Sequence, residues 1–461
     1  MTSKLRIAIV GGGITGLACA IAFSRDAPDL EVDIYEGTSS FGTVGAGIGM
    51  WPRIWEIMEF LGLTEAFRRQ EVVTPGTDAY FTYRLSNRPQ GVLAGDTPVG
   101  VMTYHRADVL QVLLEHIPSH YGKHFSKRLA TYHDDSEHDR VTLHFTDGTS
   151  ATCDLLVGTD GIKSVVRATM YSRLAENARS EGVPPERVQR LLDYIQPSFS
   201  GEVVYRQIIT REDLEKAFPN HPSLTGPTVY MAEHSLIITY PISQGRAFST
   251  GAFKGYPGRS GSQYEGPWVR DATADELRTQ FAGYEVAAQA VLDLMVEPSM
   301  WAINVVDGLP TYTSGRVVLL GDSAHAMRPH QGSGAGQGIE DGLVLTSLLA
   351  SPLTTRKTLT AALDAYDAVR RPRAQTVLQR SREMGELCYL ERPWGDFDKN
   401  LATISDSELR DAQRKARMKH AFEDSAKELF GWAWYGSALT QRQQALEILK
   451  DKLATEECAR A

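Results

Sequence analysis

The feature that most limits what this chain can fold into is LRIAIVGGGITG, residues 5–16. A short apolar run at 5–10 reads as a buried parallel strand stopped by glycines, and ITGLACAIAFSR (14–25) follows with helical spacing. EVDIYE (31–36) reads as a second strand, so the segment predicts a strand–turn–helix–strand unit. Gly11, Gly13 and Gly16 fit G-x-G-x-x-G in that turn. The first permits a tight turn, the second lets a pyrophosphate approach the backbone, and the third allows close helix–strand packing. The helix N-terminus then faces the phosphate charge. Glu36, twenty positions past Gly16, ends the second strand where an acid takes ribose hydroxyls. The unit predicts a dinucleotide site, but the same turn serves NAD and FAD and does not choose between them.

Composition narrows the partners. A net charge of −9 argues against nucleic acid or an anionic membrane surface as the main partner. Cys19, Cys153, Cys388 and Cys458 are scattered, with no CxxC and no metal spacing, which predicts free thiols, no metal site and a reducing, cytoplasmic setting. The start, MTSKLRIAIVGGG, leaves no room for a signal peptide, and no run approaches the ~20 apolar residues of a membrane span.

Further along, FGTVGAGIGMWPR leads into an expected helix at 53–61, and HRADVLQVLLEHI (105–117) is amphipathic. RVTLHFTDGTSATCDLLVGTDG reads as a hairpin turning at Asp147-Gly148 followed by a buried strand. From about 195 to 300 the texture becomes β-rich: GEVVYRQII, TVYMAEHSLIITYPI and RAFSTGAF. GRVVLLGD restores the buried-strand style, and IEDGLVLTSLLA and 359–390 look helical. The tail, 394–461, is charged and helical in composition, with an aromatic patch, FGWAWYG, expected to dock on the body. Within GDSAHAMRPHQGSGAGQGIEDG (321–342), glycines stand at 332, 334, 336 and 338, and removing side chains from alternate positions implies a close neighbour.

CDLLVGTDGIKSVVR (153–167) and VVLLGDSAHAMRP (317–329) put Asp160 and Asp322 at strand ends. With the first glycine turn, these three motifs resemble the single-component (group A) FAD-dependent aromatic monooxygenases, the para-hydroxybenzoate and salicylate hydroxylase class, over residues 5–385. GAGIGM, HRADV, VVYRQII, YPISQG and PHQGSGAGQGIEDG carry the resemblance furthest, toward salicylate-hydroxylase-like and fungal phenol-hydroxylating members.

The resemblance implies an α/β fold: an FAD-binding, doubly wound, Rossmann-like domain with an inserted antiparallel substrate domain and a helical C-terminal tail. The expected division is 1–75, 101–190 and 306–390 for FAD, 76–100 and 191–305 for substrate, and 391–461 for the tail. It assigns Glu36 to the adenosine ribose, Gly49 and Arg106 to the cofactor, Asp322 to the ribityl chain and Ala335 to the isoalloxazine. Asp160 with Gly161 serves joint cofactor and nicotinamide handling, a role with which capping of the following helix can coexist. The glycine run is expected to pass the flavin ring, with the start of the GIEDGLVLTSLL helix turned to the reduced flavin.

His330 is expected to border the substrate as a base or hydrogen-bond partner, or to be a structural histidine; His325 reads as structural. Arg206 and Tyr240 fall where related phenol hydroxylases hold the substrate oxygen, an arginine favouring the reactive phenolate. Their alternatives are a strand-end salt bridge and a core tyrosine. Tyr205, Tyr230 and His234 are further candidates for the wall, and Trp51 of MWPR narrows or lines the cavity. The expected reaction is NADH- or NADPH-consuming hydroxylation of a small phenolic aromatic acid by O2, with decarboxylation if a carboxylate sits on the attacked carbon, by a monomer or homodimer. A dearomatising hydroxylase or epoxidase, and a non-catalytic flavin-binding interaction protein, are the rival readings. The W-x-W-x-I-P segment expected of a flavin halogenase is absent.

Overall fold

The apolar run after the N-terminus becomes an inner strand, Arg6–Val10, buried except at Arg6, as a parallel strand covered on both faces must be. The computed structural model describes residues 5–42, 47–70, 80–135, 138–397 and 401–460. The expected boundary at 75/76 and the Gly45-Ala46 part of GAG lie outside the described residues. Arg6–Val10 pairs in parallel with Glu31–Tyr35 on one side and Leu155–Gly158 on the other, and the latter pairs in parallel with Val317–Leu319. Gly122–His124 and Thr313–Ser314 complete a six-stranded sheet at its edges.

Two helices, Ile14–Asp26 and Gly334–Leu349, pack against each other beside this sheet. The second begins at Gly334, inside the glycine run, earlier than the apolar spacing from Ile339 suggests. Every residue from Gly336 to Leu349 is buried, so no polar face marks where the helix starts.

A second, eight-stranded sheet runs in the order Val269–Asp271, Ser299–Val305, Ser198–Thr210, Ala247–Gly255, Ser235–Ile242, Thr228–Ala232, Thr82–Leu85, Val92–Asp96. It is antiparallel except where Thr82–Leu85 joins Thr228–Ala232 in parallel. TVYMAEHSLIITYPI folds as two of these strands around a turn at His234, whose φ is 53°. Strand alternation splits the sheet's faces. Tyr205, Ile209, Tyr230, Ile237 and Phe248 pack with Leu277, Phe281 and Val291 around the helices Ala274–Gln280 and Val286–Leu294. The opposite face, through Tyr83, Val204, Val229 and Phe253, turns toward the tail.

The tail forms the helices Ala412–Tyr435 and Leu439–Arg460. On the first, Met418, Phe422, Ala426, Leu429, Phe430 and Ala433 make one buried stripe against the second sheet's region. The aromatic patch does dock: Phe430 and Trp434 are buried, while Tyr435 stays exposed. Among the described residues no helix is long and apolar enough to cross a membrane, and no group of His, Cys, Asp or Glu could hold a metal.

Candidate active site

Four adjacent parallel strands, Val317–Leu319, Leu155–Gly158, Arg6–Val10 and Glu31–Tyr35, end in a row. Just past their carboxyl ends stand Asp322, Asp160, Gly11 and Glu36 in turn, on the edge where open α/β sheets bind ligands. Gly11 has φ +109°, and a Cβ there would strike the Thr159 carbonyl; one on Gly16 would strike the Gly11 carbonyl. Gly13 differs, since nothing would stand within 4 Å of a Cβ added to it. It is also the N-cap of Ile14–Asp26 and supplies no side-chain cap, so the helix's first N–H groups face that open space. Glu36 accepts hydrogen bonds from the Gly12 N–H and the Thr38 N–H, both at 2.9 Å.

Asp160 caps Val165–Ser180: its carboxylate accepts from the Val165 N–H at 2.7 Å, the Val166 N–H at 3.1 Å and the Ser164 hydroxyl. Arg167 in that helix is fully buried and donates to the carbonyls of Ile162 and Ser323, tying this motif to the one that contains Asp322.

The glycine run corrects an expectation. A Cβ on Gly336 would meet Ile54 at 2.8 Å, one on Gly338 would collide with the Thr15 Oγ1, and one on Gly342 would press Cys19 Cα at 3.1 Å. Gly336 thus lets this helix approach Pro52–Leu61, and Gly338 and Gly342 let it approach Ile14–Asp26, so a flavin ring is not needed to explain these three; Gly332, by contrast, has open space and lines the cavity. Gly334 alone among the run's helical glycines faces space, its nearest atom being Met327 Cγ at 3.9 Å. Ser333, the N-cap, makes no side-chain cap bond, so this helix start is also open.

It opens on a cavity of about 370 Å³. Gly49, Arg206, Tyr240, Asp322, His330 and Ala335 all line it, although they come from segments far apart in sequence. Its floor is the second sheet, where Tyr83, Val229, Ile238, Gly251 and Arg206 stand in register across five strands. Gly251 in mid-strand, paired with Arg206, gives room to the Phe253 ring, whose edge would lie 3.0 Å from a Cβ there. Tyr240 packs its ring against the Gly47 backbone.

Arg206 is half-buried, and among the described residues it has no carboxylate partner; its guanidinium lies 5.4 Å from the centre of the Trp301 ring. The alternative of a strand-end salt bridge is thus not formed. Burial lowers its pKa, opposed by Tyr240 and reinforced by Arg106. Burial raises the Tyr240 pKa, against Ser249 and Arg206. Asp322 can be reached from the cleft, yet desolvation raises its carboxyl above the usual range despite His325 and Arg106. Arg106, at the start of Arg106–Glu115, does not line the cavity and acts on it as a charge near Asp322 and Arg206.

His330 is held from behind. Its Nε2 lies 2.7 Å from Glu202 Oε2, so that nitrogen is not free to take a substrate proton. Arg328 sits 2.6 Å from the other Glu202 oxygen, and the Tyr389 hydroxyl donates to Glu202 at 3.1 Å. Burial pushes the Glu202 carboxyl up, but His330, Arg328 and Tyr389 together leave it below its usual value. His325 pairs with Asp341 at 2.6 Å in the core.

Three wall candidates fall elsewhere. Tyr205 and Tyr230 point to the opposite sheet face, where Tyr205 donates to Glu276 at 2.6 Å; His234 sits in its turn beside Glu391 at 2.7 Å. Trp51 does line the cavity, with its indole N–H donating to the Gln331 carbonyl at 2.9 Å. Sequence reasoning missed Glu202, and it missed Phe430, which reaches the cavity from the tail.

These features fit a bound FAD: an open glycine cradle under an uncapped helix start, then Asp322, then a second uncapped helix start at a lined cavity. The two halves adjoin, because Gly321, just before Asp322, packs on Thr15 beside the cradle. A dinucleotide cradle leading to a cavity floored by an antiparallel sheet is the arrangement expected of a flavin-dependent oxidoreductase, and the comparisons with known proteins agree. The FAD binding domain family matches residues 4–185 and 263–381. A salicylate hydroxylase of Pseudomonas putida is 36% identical over 84% of this chain and 87% of its own length. The FAD-dependent monooxygenase str9 of Strobilurus tenacellus is 32% identical over 98% of this chain and 99% of its own. A solved salicylate hydroxylase substrate complex superposes with a TM-score of 0.79 at 31% identity, covering 96% of this chain and 98% of that one. The chain belongs to the group A FAD-dependent aromatic monooxygenases, and its cofactor is FAD.

Proposed function

We propose that this enzyme hydroxylates a phenolic aromatic acid, taking electrons from NADH or NADPH and oxygen from O2, with loss of carbon dioxide when the carboxylate sits on the attacked carbon. The observation that carries the reading is Arg206, a half-buried cation on the cavity floor with no carboxylate partner among the described residues. An unpaired, desolvated guanidinium favours an anionic ligand. Salicylate hydroxylases among the relatives support an acid of the salicylate type. A dearomatising hydroxylase also attacks a phenolate and would share both the cofactor residues and this cation, so product analysis separates it from this reading; an epoxidase acting on an alkene would not need the cation.

Bound FAD supplies the two-electron chemistry that links nicotinamide oxidation to transfer of one oxygen atom of O2. The chain's part is to bind, orient and shield. Gly13 and Glu36 would hold the adenosine half, in a turn that Gly11 and Gly16 let close, and Gly49, Arg106, Asp322 and Ala335 would hold the flavin half; Asp160 would fix the neighbouring backbone through its cap. Arg206 would hold the substrate oxygen as phenolate, and Tyr240 would donate to it. His330, with Nε2 committed to Glu202, has only Nδ1 left for a substrate hydroxyl. Apolar walls would keep water from the reacting ring, so that oxygen is not lost as peroxide. Segments 1–75, 101–190 and 306–390 would serve FAD, 76–100 and 191–305 the substrate, and 391–461 would form the tail. Buried free thiols at Cys19, Cys153 and Cys388 suit a reducing cytoplasm, with the protein as monomer or homodimer.

The test is coupling. Losing a charge-assisted hydrogen bond costs roughly 1.5–3 kcal/mol, on the order of ten- to a hundredfold in rate. Arg206→Ala and Tyr240→Phe should keep full FAD content while hydroxylation of a salicylate falls by that factor and peroxide per NAD(P)H rises. Parental rate and coupling in both variants would refute the assignment.

A further inference from the structure

We infer that the tail helix Ala412–Tyr435 is part of the substrate site, and that Phe430 on it limits the apolar substituent a ring may carry away from its phenolate. The inference rests on the proposed reading of Arg206 as the phenolate anchor. The register Tyr83–Val229–Ile238–Gly251–Arg206 runs straight across the floor. At about 4.8 Å per strand, its ends lie roughly 19 Å apart, more than one ring with its acid group spans. The Arg206 end is charged. The other end is aromatic: Trp51 stands 6.0 Å from Phe81 and 5.2 Å from Phe430, centre to centre, and Phe430 stacks on Trp434 at 5.3 Å. Trp51, Phe81, Tyr83 and Phe430 all line the cavity.

The tail is also braced to the loop that carries the helix start. Gln331, whose carbonyl accepts from Trp51, donates through Nε2 to the Leu429 carbonyl at 3.1 Å. Phe430 is thus set by its neighbour's backbone, while its own ring has no polar group. Trimming or enlarging that ring changes the cavity's aromatic end without breaking a hydrogen bond. A substituent remote from the phenolate has to pass toward this wall.

The experiment compares salicylate with its methyl, propyl and butyl homologues, substituted at each ring position in turn. Two quantities are read on the FAD-loaded enzyme: kcat/KM for coupled hydroxylation, and Kd from quenching of flavin fluorescence. Each buried methylene is worth roughly fourfold in binding. Phe430→Ala should therefore raise the butyl-to-unsubstituted ratio by about tenfold or more for at least one ring position. Phe430→Trp should lower that ratio, and Phe430→Leu should fall between the parent and Phe430→Ala, which keeps the test open if the alanine variant does not fold. Ratios unchanged within about twofold at every position in the folded variants would overturn the inference. If the FAD-loaded parent binds none of the acids, the phenolic-acid reading falls and takes the inference with it. Binding with unmoved ratios sinks the inference alone.

Discussion

In the turn after Arg6–Val10, Gly13 faces open space beside Gly11, Gly12 and Gly16, which face protein; in the run before and inside Gly334–Leu349, Gly332 and Gly334 face open space and the later glycines face protein. Gly338 abuts Thr15, Gly336 abuts Ile54 and Gly342 abuts Cys19. Both stretches are glycine-rich, both precede a helix, and they meet at Thr15, which also limits Gly321. In each stretch the open glycines keep room for something the chain binds, and the covered ones let backbone and helices close together around one site. A glycine's reason is therefore found in what its missing Cβ would touch, and that neighbour can lie hundreds of residues away.

The largest effect expected from this contrast is on stability. Gly338→Ala forces a methyl into the Thr15 side chain, and overpacking of this kind costs roughly 1–3 kcal/mol. Thermal unfolding of the FAD-free protein should show the loss, and Thr15→Ala in the same chain should restore part of it. If Gly338→Ala instead weakens FAD retention while leaving the FAD-free protein as stable as the parent, the helix-packing account fails.

Gly13→Ala should do the reverse. Its backbone, at φ −80° and ψ −176°, suits any residue, and no protein atom is near. The FAD-free protein should unfold as the parent does. FAD retention, followed by equilibrium dialysis, should weaken by about tenfold, roughly 1.4 kcal/mol, because a methyl holds the diphosphate off the backbone. Unchanged retention would remove Gly13 from the proposed cofactor contacts.

How much of this is legible in the sequence depends on whether the cause is local. The strand–turn–helix and its glycine triplet are local and can be read directly. Strand alternation reaches further. Once Arg206 is placed on the cavity face, Val204 and Glu202 share that face and Tyr205 cannot, since neighbours in a strand point opposite ways. The same rule opposes Tyr230 to Val229. An acid on that face at position 202 is therefore implied, but its partner His330 lies 128 residues on, and no periodicity connects them. Phe430 is hidden for a different reason. Its helix shows an ordinary apolar stripe, and the stripe does not say that one of its residues ends in a cavity.

The smallest effect separates a third kind of glycine from the two already compared. Gly332 lines the cavity, has no atom within 4 Å of where a Cβ would stand, and sits at φ +59° and ψ 24° as the cap of the short turn Pro329–Gln331. Its constraint is its own backbone, since an L residue held left-handed pays about 1–2 kcal/mol. Part of that is offset by about 0.4–1 kcal/mol, because alanine has fewer unfolded conformations to lose. Gly332→Ala should therefore destabilise the FAD-free protein by only about 1 kcal/mol, less than Gly338→Ala, and Gly332→Asn by less still, because asparagine tolerates this region. If space were the constraint, alanine and asparagine would instead rank by size, and asparagine would be the worse of the two. Thermal unfolding of the three FAD-free proteins gives the order, and asparagine falling below alanine would move Gly332 into the class of Gly338.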